Sequence, residues 1–435
     1  MKKVLIITYY WPPSGGSGVQ RWVKFAKYLP SCGWQPIIYT PLNPELTAID
    51  ETLASEIPQQ AEIIRTKIFE PYSAYRKLFG KGSSTDIKQV VTPISGGKKS
   101  WKQKLSLWVR ANLFVPDPRV GWVRPSVRFI EEYLKENPVD AMVTTGPPHS
   151  LHLIGLKVHK DTGLPWVPDF RDPWSRMYYL KHLPYTRLAW NKLLRQEKAV
   201  LDGCTKVLAV TPQVREDFLK MTGTPVAMIT NGYDEEDFTG PLPEPDGHFN
   251  ITHTGLFASD GNPKALWTVL GEMAAKDPEF RTALKLRLAG KNDREVLEDI
   301  CKAGLEANLI LPGYLDHPGA VLEQRAATIL ILPLRNDPQY KPILPGKLFE
   351  YLGSRRPILG IGQEDGAMAE VINECSAGTV CDWSNKEGIM AFISGAWTEW
   401  KASGTVAPTS GPIDKYTRSA LTRELSALLD EVAGK

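Results

Sequence analysis

The chain alternates short apolar runs with longer amphipathic stretches. Residues 4–9, 36–40, 139–145, 206–211, 249–257, 286–289, 310–314 and 328–333 are dominated by apolar and β-branched side chains. Runs of this length and texture read as strands buried on both faces, as a parallel sheet requires. Between them, apolar residues recur at helical spacing. Trp22, Phe25, Ala26 and Leu29 follow the first run, 150–160 follow the third, and Leu348, Phe349, Tyr351 and Leu352 follow the last. Alternation of this kind predicts an α/β fold built on parallel sheet. Residues 1–8 read as a first strand and not a secretory signal, because the apolar part is brief and 9–13 offer no small-residue cleavage site. The stretch from Pro241 to Gly247 is proline-rich and predicts a linker between domains of residues 1–240 and 241–414. Residues 416–432 predict a final amphipathic helix, and 75–115 interrupt the α/β rhythm as an insertion.

Glycines at predicted strand ends mark three places for chemistry. The first is Ser14-Gly15-Gly16-Ser17-Gly18, where backbone N–H groups can approach a phosphate at a helix N-terminus. A dinucleotide fingerprint is incomplete, since Arg21 stands at the third glycine and the second strand ends in Thr40-Pro41 without an acidic residue. A tight turn without ligand is the other reading. The second place is Pro345-Gly346-Lys347-Leu348-Phe349-Glu350. It reads as a loop turning into a helix whose positive end and Lys347 suit a diphosphate, with Glu350 one turn on to accept bonds from ribose hydroxyls. An ordinary capped helix with solvated Lys and Glu remains open. The third place joins Gly146-Pro147-Pro148-His149 to Asp169-Phe170-Arg171-Asp172-Pro173-Trp174. Loops at strand C-termini form the crevice of an open parallel sheet, so His149, Asp169, Arg171 and Asp172 are candidates there. For Asp169 and Asp172 a buried ion-pair network is the alternative. His152 reads as structural.

The stretch from Lys347 to Leu352, followed by Arg356-Pro357-Ile358-Leu359-Gly360, resembles the nucleotide-sugar site of family 4 glycosyltransferases of the GT-B fold. The Gly15-Gly16 loop resembles that family's glycine loop. The Gly-Pro-Pro-His and Asp-Phe-Arg-Asp-Pro-Trp turns are similar to those of a bacterial glycan-assembly branch, and Asn231-Gly232-Tyr233-Asp234 resembles the turn closing its first domain. The resemblance implies two Rossmann-like, doubly wound domains facing each other across a cleft, with a last helix (415–435) packing back on the first. It implies a nucleotide diphosphate sugar donor held by Gly15, Gly16, Lys264, Gly346, Lys347, Leu348 and Glu350, and an acceptor side carrying His149, Asp169, Arg171 and Asp172. The implied reaction is sugar transfer, with retention, to a lipid-linked or glycan acceptor in cell-surface polysaccharide assembly. No metal and no cofactor beyond the donor are expected, and Asp260, Asp293 and Asp337 stand isolated from one another. Two departures are visible. Pro342 occupies the position of the family's first Glu, and the Arg often found after the second domain's first strand is missing, which leaves Lys264 as the candidate cation. A nucleotide-sugar epimerase on the same fold, or a non-catalytic nucleotide-sugar-binding protein at a membrane, are the alternatives.

Charge sharpens the expectation about partners. The 435 residues carry a net +3, but residues 1–240 hold 32 basic and 23 acidic side chains against 20 and 26 in the remainder. A basic first half suits an anionic surface or a lipid diphosphate. Within 98–113, Trp101, Leu105, Trp108 and Asn112 share one helical face, and Lys98, Lys99, Lys102, Lys104 and Arg110 supply charge. That segment reads either as an interfacial anchor on an anionic membrane or as a helix packed on its own domain with a solvated basic face. Five dispersed cysteines predict a reducing compartment, and no apolar run reaches membrane-span length. The expected location is the cytoplasm, at the inner face of the membrane, with no nucleic-acid partner.

Overall fold

The computed structural model describes residues 1–45, 49–50, 52–68 and 101–434. Its thirteen strands are β1 (Lys2–Ile7), β2 (Trp34–Pro41), β3 (Glu62–Thr66), β4 (Ala141–Gly146), β5 (Trp166–Phe170), β6 (Val207–Ala209), β7 (Val226–Met228), β8 (Phe249–Thr254), β9 (Leu284–Ala289), β10 (Leu309–Gly313), β11 (Ile329–Pro333), β12 (Ile358–Ile361) and β13 (Gly378–Cys381). They form two sheets, ordered β3-β2-β1-β4-β5-β6-β7 and β10-β9-β8-β11-β12-β13. Every pairing between these strands is parallel. Both orders reverse direction once, between β1 and β4 and between β8 and β11, and loops beyond strand C-termini at such a reversal are where doubly wound sheets bind ligands.

The chain divides into two compact units, one of Met1–Thr230 with Leu421–Lys435 and one of Asn231–Ala420. In the first, alternate residues of β1 serve opposite faces. Leu5 and Ile7 pack with Met142, Trp166 and Phe170, whereas Val4 and Ile6 pack with Trp22, Phe25, Ile38 and Val143. Leu421, Leu425, Leu428, Leu429 and Val432 of the helix Arg418–Ala433 complete that second face. Each such side chain contributes about 1.5–3 kcal/mol by leaving water. The second unit repeats the plan, with Phe249, Ile251, Ile329 and Ile331 on one face and Leu330, Leu332 and Leu348 on the other.

Of the insertion expected at 75–115, residues 75–100 lie outside the described residues, and with them Lys98 and Lys99. The rest carries the helix Trp101–Leu113. Among the described residues no helix is long and apolar enough to cross a membrane, and the five cysteines are free thiols.

Candidate functional site

In the second unit, β8 ends at Thr254-Gly255. Gly255 has φ +105°, and a Cβ there would stand 2.3 Å from Lys347 Nζ. Only glycine allows that ammonium to lie against the main chain at the strand end. Lys347 is the second residue of the helix Gly346–Ser354, entered from an extended Pro345. Among the described residues no carboxylate pairs with it. The N–H groups of Gly346 and Lys347 likewise have no protein acceptor there, so a helix N-terminus and a full positive charge meet at the sheet's reversal point. Leu348 departs from expectation. Its side chain is buried in the core and its N–H donates to Pro345 O at 3.0 Å, so it offers a ligand nothing.

Glu350 is held in place from below. Gln324, fully buried on the helix His317–Ala326, donates Nε2 to Glu350 Oε2 and to Thr254 Oγ1, both at 3.1 Å. The Thr254 N–H donates to Tyr351 OH at 3.0 Å. Glu350 thus keeps one oxygen without a protein donor among the described residues, in a fixed orientation. His253 sits beneath, with Nδ1 at 3.0 Å from Ile331 O. Burial, and secondarily the charge of Lys347, lower its pKa to about 4. Lys264 corrects another expectation. Its exposed ammonium pairs with Glu295 at 3.0 Å and Asp299 at 3.4 Å on the helix Arg294–Lys302, partners that a diphosphate would have to displace.

In the first unit, Gly16 precedes the helix Ser17–Tyr28 with φ +102°, a conformation that favours glycine even though an added Cβ would meet nothing. Gly15 and Gly16 therefore form the turn between β1 and that helix, at the reversal point. Arg171 ties this turn to the next, donating Nη1 to Gly18 O at 3.0 Å and Nη2 to Pro147 O. Burial lowers the Arg171 pKa, against the opposing charges of Asp169 and then Asp172 nearby.

Asp169 is corrected from catalytic candidate to framework. It is wholly buried, and its carboxylate accepts from Trp22 Nε1 at 2.7 Å, Thr145 Oγ1 at 2.9 Å, Arg21 Nη2 at 3.1 Å and Arg21 Nε at 3.3 Å. Arg21 also donates to Thr230 O and Ile229 O. Oδ2 takes three of these bonds and Oδ1 one, and the fully buried carboxylate offers substrate no access. Asp169 thus stands in a buried ion-pair network with Arg21.

His149 is different. It precedes the helix Ser150–Thr162, whose first N–H and hydroxyl are both held by Asp117, at 2.8 and 2.9 Å. Its ring stacks on Trp174 at 5.0 Å and 8°. It is 6% exposed, yet neither ring nitrogen has a partner among the described residues, nor does Trp174 Nε1. Burial, with His152 and Arg171 nearby, holds its pKa well below the ordinary histidine range, so the ring is neutral. His152 is fully buried. Its Nδ1 lies 2.8 Å from Thr144 Oγ1, and burial lowers its pKa to about 3. His149 and Trp174 line a pocket of about 50 Å³ with Arg110, Phe114, Leu180 and Tyr185. Sequence reasoning did not single out Gln324 or Trp174. Gln324 lies in no motif, and Trp174 registered only as part of a turn.

No protein-family model matches the chain, and no curated protein matches it in sequence. Solved structures do match over its whole length. A sucrose-phosphate synthase from Thermosynechococcus elongatus is 12% identical, with 100% of this chain and 96% of that one covered and a TM-score of 0.56. WaaG, a glycosyltransferase involved in lipopolysaccharide biosynthesis, is 14% identical over 99% and 100%, with a TM-score of 0.53. Anabaena HepE in complex with UDP-glucose is 11% identical over 100% and 98%, with a TM-score of 0.56. With two parallel sheets and this whole-length likeness, the chain has the α/β fold of the GT-B glycosyltransferases.

Proposed function

We propose that the protein is a glycosyltransferase that takes a sugar from a nucleoside diphosphate sugar. The observation that carries this reading is the group at the reversal point of the second sheet. Lys347 lies over Gly255, the open helix start at Gly346 stands beside it, and Glu350 is aimed by Gln324. A diphosphate suits the first two, and a ribose diol suits a fixed carboxylate oxygen. In the reaction, the bond from the anomeric carbon to the diphosphate oxygen breaks and its electron pair stays on the phosphate. The acceptor oxygen bonds to that carbon, and its proton ends on the released diphosphate. Lys347 and the helix dipole stabilise the charge as it develops, so no metal ion is required. The Gly15-Gly16 turn offers a second set of N–H groups for phosphate.

His149 is the residue proposed to meet the acceptor. A neutral imidazole with both nitrogens unengaged can orient the acceptor hydroxyl by accepting a hydrogen bond from its O–H at the unprotonated nitrogen, until that proton passes to the released diphosphate. Arg171 keeps the turns around it in place, and Asp172 beside it is a further candidate on the acceptor side. Retention at the anomeric carbon, a role in cell-surface polysaccharide assembly, and a seat on the inner face of a membrane complete the proposal. The last is supported by Trp101, Leu105 and Trp108, exposed on the helix Trp101–Leu113 beside Lys104.

Titration calorimetry against a panel of nucleoside diphosphate sugars tests the donor site. Glu350→Gln should weaken the best binder by about 1–3 kcal/mol, because an amide oxygen is a poorer acceptor than a carboxylate. Unchanged affinity in that variant, or no binder in the panel, would remove the donor assignment.

A further inference from the structure

The pocket at His149 and Trp174 is rich in hydrogen-bond donors and poor in acceptors. Trp174 Nε1 and both nitrogens of His149 are buried without protein partners among the described residues. An indole offers only a donor, and a neutral imidazole offers one donor and one acceptor. Behind His149, Arg171 spends both Nη groups on the Gly18 and Pro147 carbonyls, and its Nε has no partner among the described residues. Arg110 brings a guanidinium to the lining itself. Asp117 is the one carboxylate among the described residues of that lining. It is turned to the Ser150 N–H at 2.8 Å, the Ser150 hydroxyl at 2.9 Å and the Arg119 N–H at 2.9 Å. The positive surroundings register in the imidazole, whose pKa is lowered by burial first and then by His152 and Arg171. A buried donor left without an acceptor is costly, so the pocket suits an occupant that brings acceptors and negative charge.

We infer that the acceptor is an acidic sugar, whose carboxylate seats at Trp174 Nε1 and Arg110 and whose neighbouring hydroxyl meets His149. This inference rests on the transfer reading and narrows its acceptor to a carboxylate-bearing one. The His149 and Trp174 rings lie parallel at 5.0 Å, a spacing that a carboxylate and an adjacent hydroxyl of one sugar ring can span. Bonds from the indole and the guanidinium to a carboxylate are charge-assisted, and so stronger than those to a neutral hydroxyl. Arg110 in the lining and Arg171 behind His149 offset the cost of taking that charge out of water. A hydroxyl in the carboxylate's place would add one more donor to a lining that already has a surplus. Size agrees with this assignment. The pocket measures about 50 Å³, and at about 30 Å³ for each water-sized group it takes a carboxylate and leaves the sugar ring outside. Ordered water is the competing occupant.

The test uses the full chain and three probes, methyl β-glucuronide, methyl β-glucoside and acetate, by titration calorimetry at one ionic strength. The glucuronide should bind roughly tenfold more tightly than the glucoside, which differs from it only in lacking the carboxylate. His149→Ala should weaken both sugars. Arg110→Gln should bring their ratio towards one, and so should Trp174→Phe, which keeps a ring against His149 and removes the N–H. If Trp174→Phe fails to fold, Arg110→Gln decides, since Arg110 is partly exposed. Equal affinities for the two sugars, or no binding of either, as for a pocket that takes water only, overturn the inference. So does a glucuronide preference that survives Arg110→Gln. Acetate that binds as tightly as the glucuronide would mark a seat for free small anions, and this too overturns it. Separate titrations with nucleoside diphosphate sugars keep the two readings apart. Carboxylate-dependent binding in a protein that takes no donor leaves the acid seat standing and removes the transfer reading. Donor binding without any preference for the glucuronide does the reverse.

Discussion

Lys347 and Gly255 are chosen for one another, because the ammonium occupies space that any side chain at 255 would fill. A comparable economy governs Asp169, whose carboxylate gathers Arg21, Trp22 and Thr145 and so fixes the first helix against β5. Asp169→Asn leaves the buried Arg21 charge without its counter-ion. Loss of one partner of a buried pair costs about 3–5 kcal/mol, and urea unfolding of the variant should show a loss of that size. A loss below about 1 kcal/mol would mean that Asp169 is not the framework residue its bonds suggest. The Asp-Phe-Arg-Asp motif could be located in the sequence, but the division of labour inside it could not. Asp169 is the fourth residue of β5 and its side chain turns inward to Arg21, more than a hundred positions away. The partners of Lys264 were hidden from the sequence for the same reason, since Glu295 and Asp299 come from a separate helix. Gln324 left no local trace because its role depends on two other elements converging on it.

At the scale of elements, most of the inner strands were legible, as was the edge strand β10, and the edges β3, β7 and β13 were not. β1, β4, β8 and β11 are buried from both sides and spell themselves as apolar runs. β3, β7 and β13 end their sheets, and they are short or polar, as Glu-Ile-Ile-Arg-Thr in β3 illustrates. An edge strand has one neighbour and less surface to bury, so its pattern is weak. The helix Trp101–Leu113 shows the limit of a single-face reading. Leu107 and Ala111 hold it to the first unit, and Asn112 accepts from Thr186 N at 2.7 Å and donates to Pro184 O at 2.9 Å. Trp101, Leu105 and Trp108 remain outside. Packing on the domain and an exposed apolar face therefore coexist. Replacing Trp101 and Trp108 with Ser and Lys104 with Glu should lower binding to anionic vesicles at least tenfold. A reversed charge near such a surface is worth about 2 kcal/mol by itself. Circular dichroism and melting temperature should stay near wild type, since none of the three side chains is buried. Equal vesicle binding by the variant and the wild type would leave the stripe without a membrane role.

Across the whole molecule, both units bury neutral histidines beneath their sheet reversal points, and this couples stability to pH in a defined direction. His149 and His152 lie in the first unit and His253 in the second, each with its pKa lowered chiefly by burial, to about 3 for His152 and about 4 for His253. Arg171 adds to the lowering in the first unit and Lys347 in the second. In the unfolded chain these rings titrate near 6.5. Below that pH the unfolded state binds protons that the folded state refuses, so stability is full above about 6.5 and falls as pH drops toward the folded values. Between pH 7 and 5 each neutral histidine should remove about 2 kcal/mol. Glu197 opposes them in the first unit, because burial raises its pKa and the cost of its charge is relieved as pH falls. Urea unfolding at pH 7, 6 and 5, followed by tryptophan fluorescence, should show a steady loss of stability. His253→Gln should flatten that slope. A stability that is level from pH 7 to 5 in the wild type, or a His253→Gln variant with an unchanged slope, would show that these rings accept protons in the folded protein. His149 would then meet its acceptor as a cation, and orientation of the hydroxyl by a neutral ring would have to be given up.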